Sequence, residues 1–136
     1  MIYVDSSVVL AQLLAEDRSP TGSFWETSPL VSSRLLEYEV WNRIHARGLS
    51  SSHGEDVRAL LGRLSFLELA APVLARALDP YPTAVRTLDA LHLASVEFLR
   101  GLGQRPALAT YDVRLAEAAT ALAIPLADVD ARGSTD

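Results

Sequence analysis

Two acidic residues follow short apolar runs that predict β-strands. Asp5 comes directly after Ile2-Tyr3-Val4, and Asp112 lies two residues after Thr110, which ends the run from Ala107. In open α/β sheets, ligands bind outside the carboxyl ends of the strands. Both carboxylates are therefore candidates for a functional site at that edge. The alternative for each residue is a local role, as a helix N-cap or in an Asx turn.

Glu39 is a third candidate, on a helix predicted from Arg34 to Arg47. With successive residues about 100° apart, Glu39 projects into the apolar stripe of this helix, whereas Glu37 falls toward its edge. Burying an unpaired charge is costly, so Glu39 needs a partner, which is either a bound cation or an ion pair with Arg43. The residues that form the stripe are Leu35, Leu36, Val40 and Ile44.

Asp89 is the fourth candidate, in the segment RTLDALHLASVEFL. It stands in the first turn of a predicted helix, where the helix dipole alone favours an acidic residue. This helix is apolar almost all round, however, and Asp89 projects close to Val96 on an apolar face. We therefore expect its side chain to point inward. His92 shares this face, and a structural hydrogen bond is favoured over a role as catalytic base.

Four carboxylates at one edge of a sheet predict a cation site. Two carboxylates about 4 Å apart repel each other by a few kcal/mol at an effective dielectric constant near 20, so four are hard to keep ionised without a cation. Ligation by oxygen alone suits Mg²⁺ or Mn²⁺. Such an ion can activate a water molecule for attack on a phosphodiester. The residues alone thus favour metal-dependent phosphodiester hydrolysis.

The elements that position these residues alternate between short strands and helices. This alternation favours a parallel sheet covered on both faces. We expect one α/β domain over residues 1–131, a three-layer α/β/α sandwich with a short-stranded, mainly parallel sheet, and a disordered tail over 132–136. A short helix is expected over residues 20–27. The expected strands are 2–4, 30–31, 66–69, 107–110 and 126–127.

Local signals predict where the helices begin and end. Ser6 or Ser7 is the expected N-cap of the first helix, and Thr87 that of the helix that ends near Arg100. Ser52-x-x-Glu55 is a capping-box pattern. Gly48 stands where a helix C-terminus favours glycine.

The composition excludes several classes of function. The 136 residues carry a net charge of −5, with 12 Lys+Arg against 17 Asp+Glu, which makes a general nucleic-acid coat a poor candidate. The absence of cysteine excludes disulfides and thiolate sites. Neither a Gly-rich phosphate loop nor a G-x-S-x-G elbow occurs. Without a membrane span or a secretory signal, we expect a cytoplasmic protein that does not bind membranes.

All four acidic segments resemble those of the PIN-domain family, in particular the toxin ribonucleases of VapBC-type toxin–antitoxin pairs. IYVDSSVVL is similar to the family's first strand with its metal-binding Asp, and VSSRLLEYEVWNR to its strand, serine-rich cap and helix with an inward Glu. RTLDALHLASV and LATYDVRLAEAA match the segments with the third and fourth acidic residues. The similarity covers essentially the whole chain, although residues 50–82 carry no assignable motif.

The resemblance implies a metal-dependent endoribonuclease. Its catalytic and metal-binding residues would be Asp5, Glu39, Asp89 and Asp112, which bind Mg²⁺ or, as a substitute, Mn²⁺. Thr110 and Ser6 would be supporting hydroxyls. The resemblance also implies an RNA substrate, a homodimer, and a cognate antitoxin that often inserts an arginine into the site. DNA would be bound only indirectly, through the antitoxin.

Two other functions remain open at this stage. The domain is alternatively a catalytically weak binding module that holds an antitoxin on operator DNA, with its acidic residues as an electrostatic socket. Phosphoryl transfer through an aspartyl intermediate is the second alternative, suggested by an Asp after the first strand. Such hydrolases typically carry another Asp two residues later, where this chain has Ser7.

Overall fold

A four-stranded parallel sheet forms the centre of the computed structural model, which describes residues 1–130. The order of the strands is β3-β2-β1-β4, and all three pairings are parallel. Tyr3 on the central strand pairs with Val31 on one side and with Leu108 on the other. The strands are β1 (Ile2–Val4), β2 (Leu30–Ser33), β3 (Ser65–Leu67) and β4 (Ala107–Ala109).

Within residues 1–130, six α-helices connect or follow these strands. They are α1 (Ser6–Leu13), α2 (Leu35–Ala46), α3 (Ser50–Leu61), α4 (Ala71–Leu78), α5 (Thr87–Gly101) and α6 (Val113–Ala121). Within residues 1–130, none of them is both long and apolar enough to span a membrane.

The sheet separates two hydrophobic cores. Because side chains alternate across a strand, Val4 of β1 joins the core formed with α1, α2 and α3, whereas Tyr3 joins the core formed with α5 and α6. Both side chains are fully buried. Helix α4 packs on α5. These layers confirm the predicted three-layer α/β/α sandwich with a short-stranded parallel sheet.

Three of the predicted helix starts are wrong. The N-cap of α1 is Asp5, whose carboxylate accepts the Ser7 N–H, so the two serines are already helical. Helix α3 begins at Ser50, ahead of the predicted capping box at Ser52, and no side chain caps it. Thr87 is the first residue of α5 and not its cap. The glycine that follows α2, Gly48, has φ +66°, as its predicted role requires.

Other predicted elements are shorter or shifted. The helix predicted over 20–27 is a 3₁₀ helix over Gly22–Trp25. The strand predicted over 66–69 begins one residue earlier, at Ser65. The last predicted strand is reduced to a single bridge between Leu126 and Leu108. The predicted tail at 132–136 lies outside the described residues.

Candidate active site

A cleft of about 500 Å³ lies at the carboxyl edge of the sheet, beside β1 and β4. From β1 the chain proceeds to β2 and β3 on one side and then returns to β4 on the other, so this edge is the point where the strand order reverses. The cleft brings together the four acidic residues predicted from the sequence. Its polar and charged lining residues are Asp5, Ser6, Ser7, Glu16, Glu39, Arg43, Arg86, Thr87, Asp89, His92, Tyr111 and Asp112.

Asp5 is the most deeply buried acidic residue of the cleft, with 4% of its surface exposed. Its position follows from the end of β1 and the start of α1, because it caps that helix. Oδ1 accepts hydrogen bonds from Ser7 N at 3.1 Å and Ser7 Oγ at 2.6 Å, and Oδ2 accepts one from Thr110 Oγ1 at 2.7 Å. Burial raises the pKa of this carboxyl, and the hydroxyl donors partly offset the increase.

The two hydroxyls on Asp5 also accept backbone N–H groups. Ser7 Oγ accepts from Tyr111 N at 2.9 Å, and Thr110 Oγ1 accepts from Asp112 N at 2.9 Å. Each hydroxyl therefore directs its own hydrogen toward Asp5 and ties β1 to the segment after β4. Thr110, for which the resemblance implies a supporting hydroxyl, donates to Asp5. Ser6 only lines the cleft, and its hydroxyl makes no hydrogen bond within residues 1–130.

Asp112 has the local role considered for it and also lines the cleft. It is the N-cap of α6, where Oδ1 accepts hydrogen bonds from Arg114 N at 2.9 Å and Leu115 N at 3.3 Å. Its other oxygen, Oδ2, accepts a hydrogen bond from Arg86 Nη2 at 2.7 Å. Capping thus orients the carboxylate and leaves one oxygen facing the cleft.

Asp89 lies in the first turn of α5, and its side chain is 14% exposed. Arg86 Nε contacts Asp89 Oδ2 at 3.2 Å, so the same guanidinium pairs with both Asp89 and Asp112. These contacts, with that of Asp89 first, raise the pKa of Arg86 and keep it charged. The contact with Asp112 spans 26 residues, so no local pattern in the sequence predicts it.

Glu39 pairs with His92 and not with Arg43, the partner considered from the sequence. His92 Nε2 lies 2.6 Å from Glu39 Oε1, and Arg43 forms no ion pair within residues 1–130. An ionised carboxylate only accepts, so the Nε2–H of His92 donates to Glu39. On the other side of the ring, Nδ1 lies 2.7 Å from the buried Tyr3 hydroxyl.

His92 therefore has the structural hydrogen-bonding role that was favoured for it, and its partner is an acidic residue of the cleft. The ring is buried between β1 and α2, which explains why an imidazole stands on an apolar face of α5. Burial also raises the pKa of Tyr3, which keeps the phenol protonated. Glu37, the competing acidic residue of α2, pairs with Arg34 and does not line the cleft.

The donor set of the cleft fits a hard divalent ion in its chemistry. All four carboxylates supply oxygen, and all four line one concave surface. In residues 1–130, no three His, Asp or Glu side chains have the arrangement that holds a metal ion. Protein groups engage the carboxylates instead: hydroxyls on Asp5, His92 on Glu39, and Arg86 on Asp89 and Asp112.

Two of the side chains that line the cleft carry weak signals or none in the sequence. Ser7 was considered only as a cap, and its role in holding Asp5 depends on which residue begins α1. Glu16 lines the cleft from the segment after α1, where no motif marks it.

Comparison with known proteins places the chain in a family. The PIN domain model matches residues 2–121. Ribonuclease VapC35 of Mycobacterium tuberculosis is 34% identical over 129 residues, 91% of this chain and 93% of that protein. Ribonuclease VapC46 of the same organism is 36% identical over 124 residues, 89% of this chain and 92% of that protein.

A solved structure supports the fold. The crystal structure of Mycobacterium tuberculosis VapC20, a sarcin-ricin loop cleaving toxin, matches with a TM-score of 0.63 at 18% identity, and the match covers 87% of this chain and 95% of that chain. The family match over most of the chain and the two relatives above 30% identity agree with the α/β/α architecture. The chain belongs to the PIN-domain family, among its VapC-type members.

Proposed function

We propose that this chain is a metal-dependent endoribonuclease, the toxin component of a type II toxin–antitoxin pair. One observation carries the proposal: four carboxylates, from β1, α2, α5 and the segment after β4, line one cleft at the carboxyl edge of the sheet. Buried or half-buried acidic residues are costly to gather without a cation. The relatives named ribonuclease VapC and the general dependence of PIN-domain nucleases on divalent metal support the same function.

The metal would be held by Asp5, Glu39, Asp89 and Asp112, with Mg²⁺ as the natural ion and Mn²⁺ as a substitute. When bound, it supplies an activated water for attack on the phosphodiester and stabilises the charge that grows on the phosphoryl oxygens. Every protein donor is an oxygen atom, which suits both ions.

The role of the surrounding residues is to orient these carboxylates. Ser7 and Thr110 each donate to one oxygen of Asp5, so the carboxylate cannot rotate without losing both bonds. His92 holds Glu39, and the N-terminus of α6 holds Asp112. Outer partners of this kind determine the orientation of metal-binding side chains.

The substrate of the proposed reaction is RNA, which meets the acidic cleft through two arginines. Arg43 and Arg86 both line it and are able to contact phosphate oxygens. A cognate antitoxin, a homodimeric state and action in the cytoplasm belong to the same proposal, through the family. Any contact with DNA would pass through the antitoxin.

A second candidate is the catalytically weak binding module. One observation favours it: Arg86 already pairs with Asp89 and Asp112, so two of the acidic residues have a cation partner within the protein. In that case the cleft would act as an electrostatic socket for a basic antitoxin segment. The two candidates differ in a single property, which is turnover of RNA.

RNA cleavage by the purified chain tests the proposal. Total RNA is incubated with the chain in EDTA, in Mg²⁺ and in Mn²⁺, and new 5′ ends are mapped by sequencing. Asp89→Asn is the inactive variant, and Glu117→Gln, an exposed acidic residue of α6 outside the cleft, is its matched control. Cleavage at defined positions that needs metal and Asp89 is expected. Equal cleavage by Asp89→Asn, or none by the wild type, would leave the binding module as the better account.

A further inference from the structure

Arg86 lies between two of the four acidic residues of the cleft. Its Nη2 is 2.7 Å from Asp112 Oδ2, and its Nε is 3.2 Å from Asp89 Oδ2. Asp112 Oδ2 is the oxygen that the local structure leaves free, since Asp112 Oδ1 is already used in capping α6. One guanidinium therefore pairs with one oxygen of each of two cleft carboxylates.

The side chain of Arg86 is held by little else. It is 63% exposed, and it stands at the N-cap position of α5 without a capping hydrogen bond. Within residues 1–130, its side-chain partners are these two carboxylates. Exposed ion pairs of this kind are weak and readily exchanged. An arginine so placed can leave its partners without any change in the fold.

We propose that Arg86 is a resident counter-cation of Asp89 and Asp112 and that a divalent ion must be exchanged for it at these two carboxylates. This inference rests on the proposed function, because it concerns the same metal site. The same guanidinium pairs with both carboxylates, so a single exchange would release the two together.

The proposed exchange predicts that Arg86 weakens metal binding. A metal ion must displace the guanidinium before it reaches both oxygens, so the ion pairs reduce the observed affinity. Removal of Arg86 should therefore tighten metal binding. Removal of a positive charge elsewhere in the cleft should change metal affinity less, because that charge acts on the ion only at long range and is screened by salt.

Arg43 provides the matched control. It lines the same cleft and carries the same charge, but it forms no ion pair within residues 1–130. Arg86→Gln and Arg43→Gln thus change the net charge of the cleft equally. Only Arg86→Gln frees Asp89 and Asp112.

The experiment is a Mn²⁺ titration of the full chain, followed by electron paramagnetic resonance of the free ion. We expect the Mn²⁺ dissociation constant of Arg86→Gln to be about tenfold lower than that of the wild type, or about 1.4 kcal/mol. The change for Arg43→Gln should stay within about twofold. The Mn²⁺ dissociation constant of Arg86→Lys should lie between those of the wild type and Arg86→Gln. The ammonium group of lysine keeps the charge but does not bridge two carboxylates as the planar guanidinium of arginine does.

The outcomes separate this inference from the proposed function. If the wild type binds Mn²⁺ and Arg86→Gln binds it no more tightly than Arg43→Gln does, the proposed exchange is contradicted. The proposed metal site is supported in that case. If neither the wild type nor Arg86→Gln binds Mn²⁺ at millimolar concentration, both the metal site and the exchange are overturned. Thermal melts in EDTA check that each variant is folded before titration.

Discussion

His92 Nε2 lies 2.6 Å from Glu39 Oε1, and this bond joins α5 to α2 across the candidate site. The imidazole is buried, and its Nδ1 meets the Tyr3 hydroxyl in the core. Tyr3, His92 and Glu39 thus form a hydrogen-bonded chain from the central strand to the cleft. The orientation of Glu39 depends on its bond to His92.

Replacement of His92 should impair both stability and the site. His92→Leu removes the imidazole that the buried Tyr3 hydroxyl contacts, so we expect a loss of about 1–3 kcal/mol in the free energy of unfolding. Outer partners of metal sites typically change affinity or activity by about 10–100-fold, and a decrease in that range is expected for Mn²⁺ affinity. His92→Gln, whose amide can donate to Glu39, should recover part of the lost Mn²⁺ affinity. A His92→Leu protein that melts earlier yet binds Mn²⁺ like the wild type would restrict His92 to a packing role.

Ser7 and its neighbour Ser6 allow a comparison within one turn of helix. Ser7→Ala removes a donor to Asp5 and the acceptor of Tyr111 N, so urea unfolding should show a loss of about 1–3 kcal/mol. Ser6→Ala should change stability by less than about 0.5 kcal/mol, as is usual for residues without such contacts. Equal losses for the two variants would contradict the assignment of the supporting hydroxyl to Ser7.

Glu39 and Glu37 lie two residues apart on α2 and differ in what they face. Glu39→Gln should lower RNA cleavage by at least about two orders of magnitude, because loss of a metal-binding carboxylate should cost no less than loss of an outer partner of the site. Glu37 pairs with Arg34 away from the cleft, and Glu37→Gln should stay within about twofold of wild type. Initial rates on one RNA substrate provide the comparison. A larger loss of cleavage for Glu37→Gln than for Glu39→Gln would mean that α2 presents Glu37 to the substrate.

The pH dependence of stability follows from the burial of Asp5. Its folded-state pKa is raised above the ordinary 3.8, so the folded protein binds this proton more tightly than the unfolded chain does. The ionised carboxylate therefore reduces stability above the folded-state pKa, and this penalty disappears as the pH falls through that value toward 3.8.

Asp5→Asn removes this titration and retains a residue that caps helices well. In EDTA at neutral pH, the variant should melt no earlier than the wild type, and its advantage should shrink as the pH is lowered. Thermal melts at a series of pH values measure the difference. A variant that melts earlier than the wild type at neutral pH would mean that the Ser7 and Thr110 bonds outweigh the cost of burial.

The sheet and the gathering of the acidic residues could be predicted because they depend on short-range patterns. Asp5 and Asp112 follow apolar runs, and parallel strands bring their carboxyl ends to one edge. Helical projection placed Glu39 on the inner face of α2. Each of these arguments needs only the residues of a single element and the period of that element.

The partners of these carboxylates could not be predicted in the same way. His92 meets Glu39 across 53 residues, and Arg86 meets Asp112 across 26. The first contact joins helices from opposite faces of the sheet, and the second joins a helix to the segment that leads into its neighbour on the same face. No local pattern encodes either packing. The start of α1 was misplaced for a related reason: Asp5, Ser6 and Ser7 all favour the N-cap position, and the hydroxyl of Thr110, directly after β4, helps to hold Asp5 there.

The central claim, a divalent metal held by the four acidic residues, is tested most directly by thermal melts of the wild type beside the Asp5→Asn, Asp89→Asn double variant. Both proteins are stripped with EDTA and then titrated with Mn²⁺ or Mg²⁺. A ligand that binds only the native state raises the melting temperature by mass action, so we predict an increase for the wild type and none for the double variant. An equal increase in both proteins, or none in the wild type at millimolar metal, would contradict the claim.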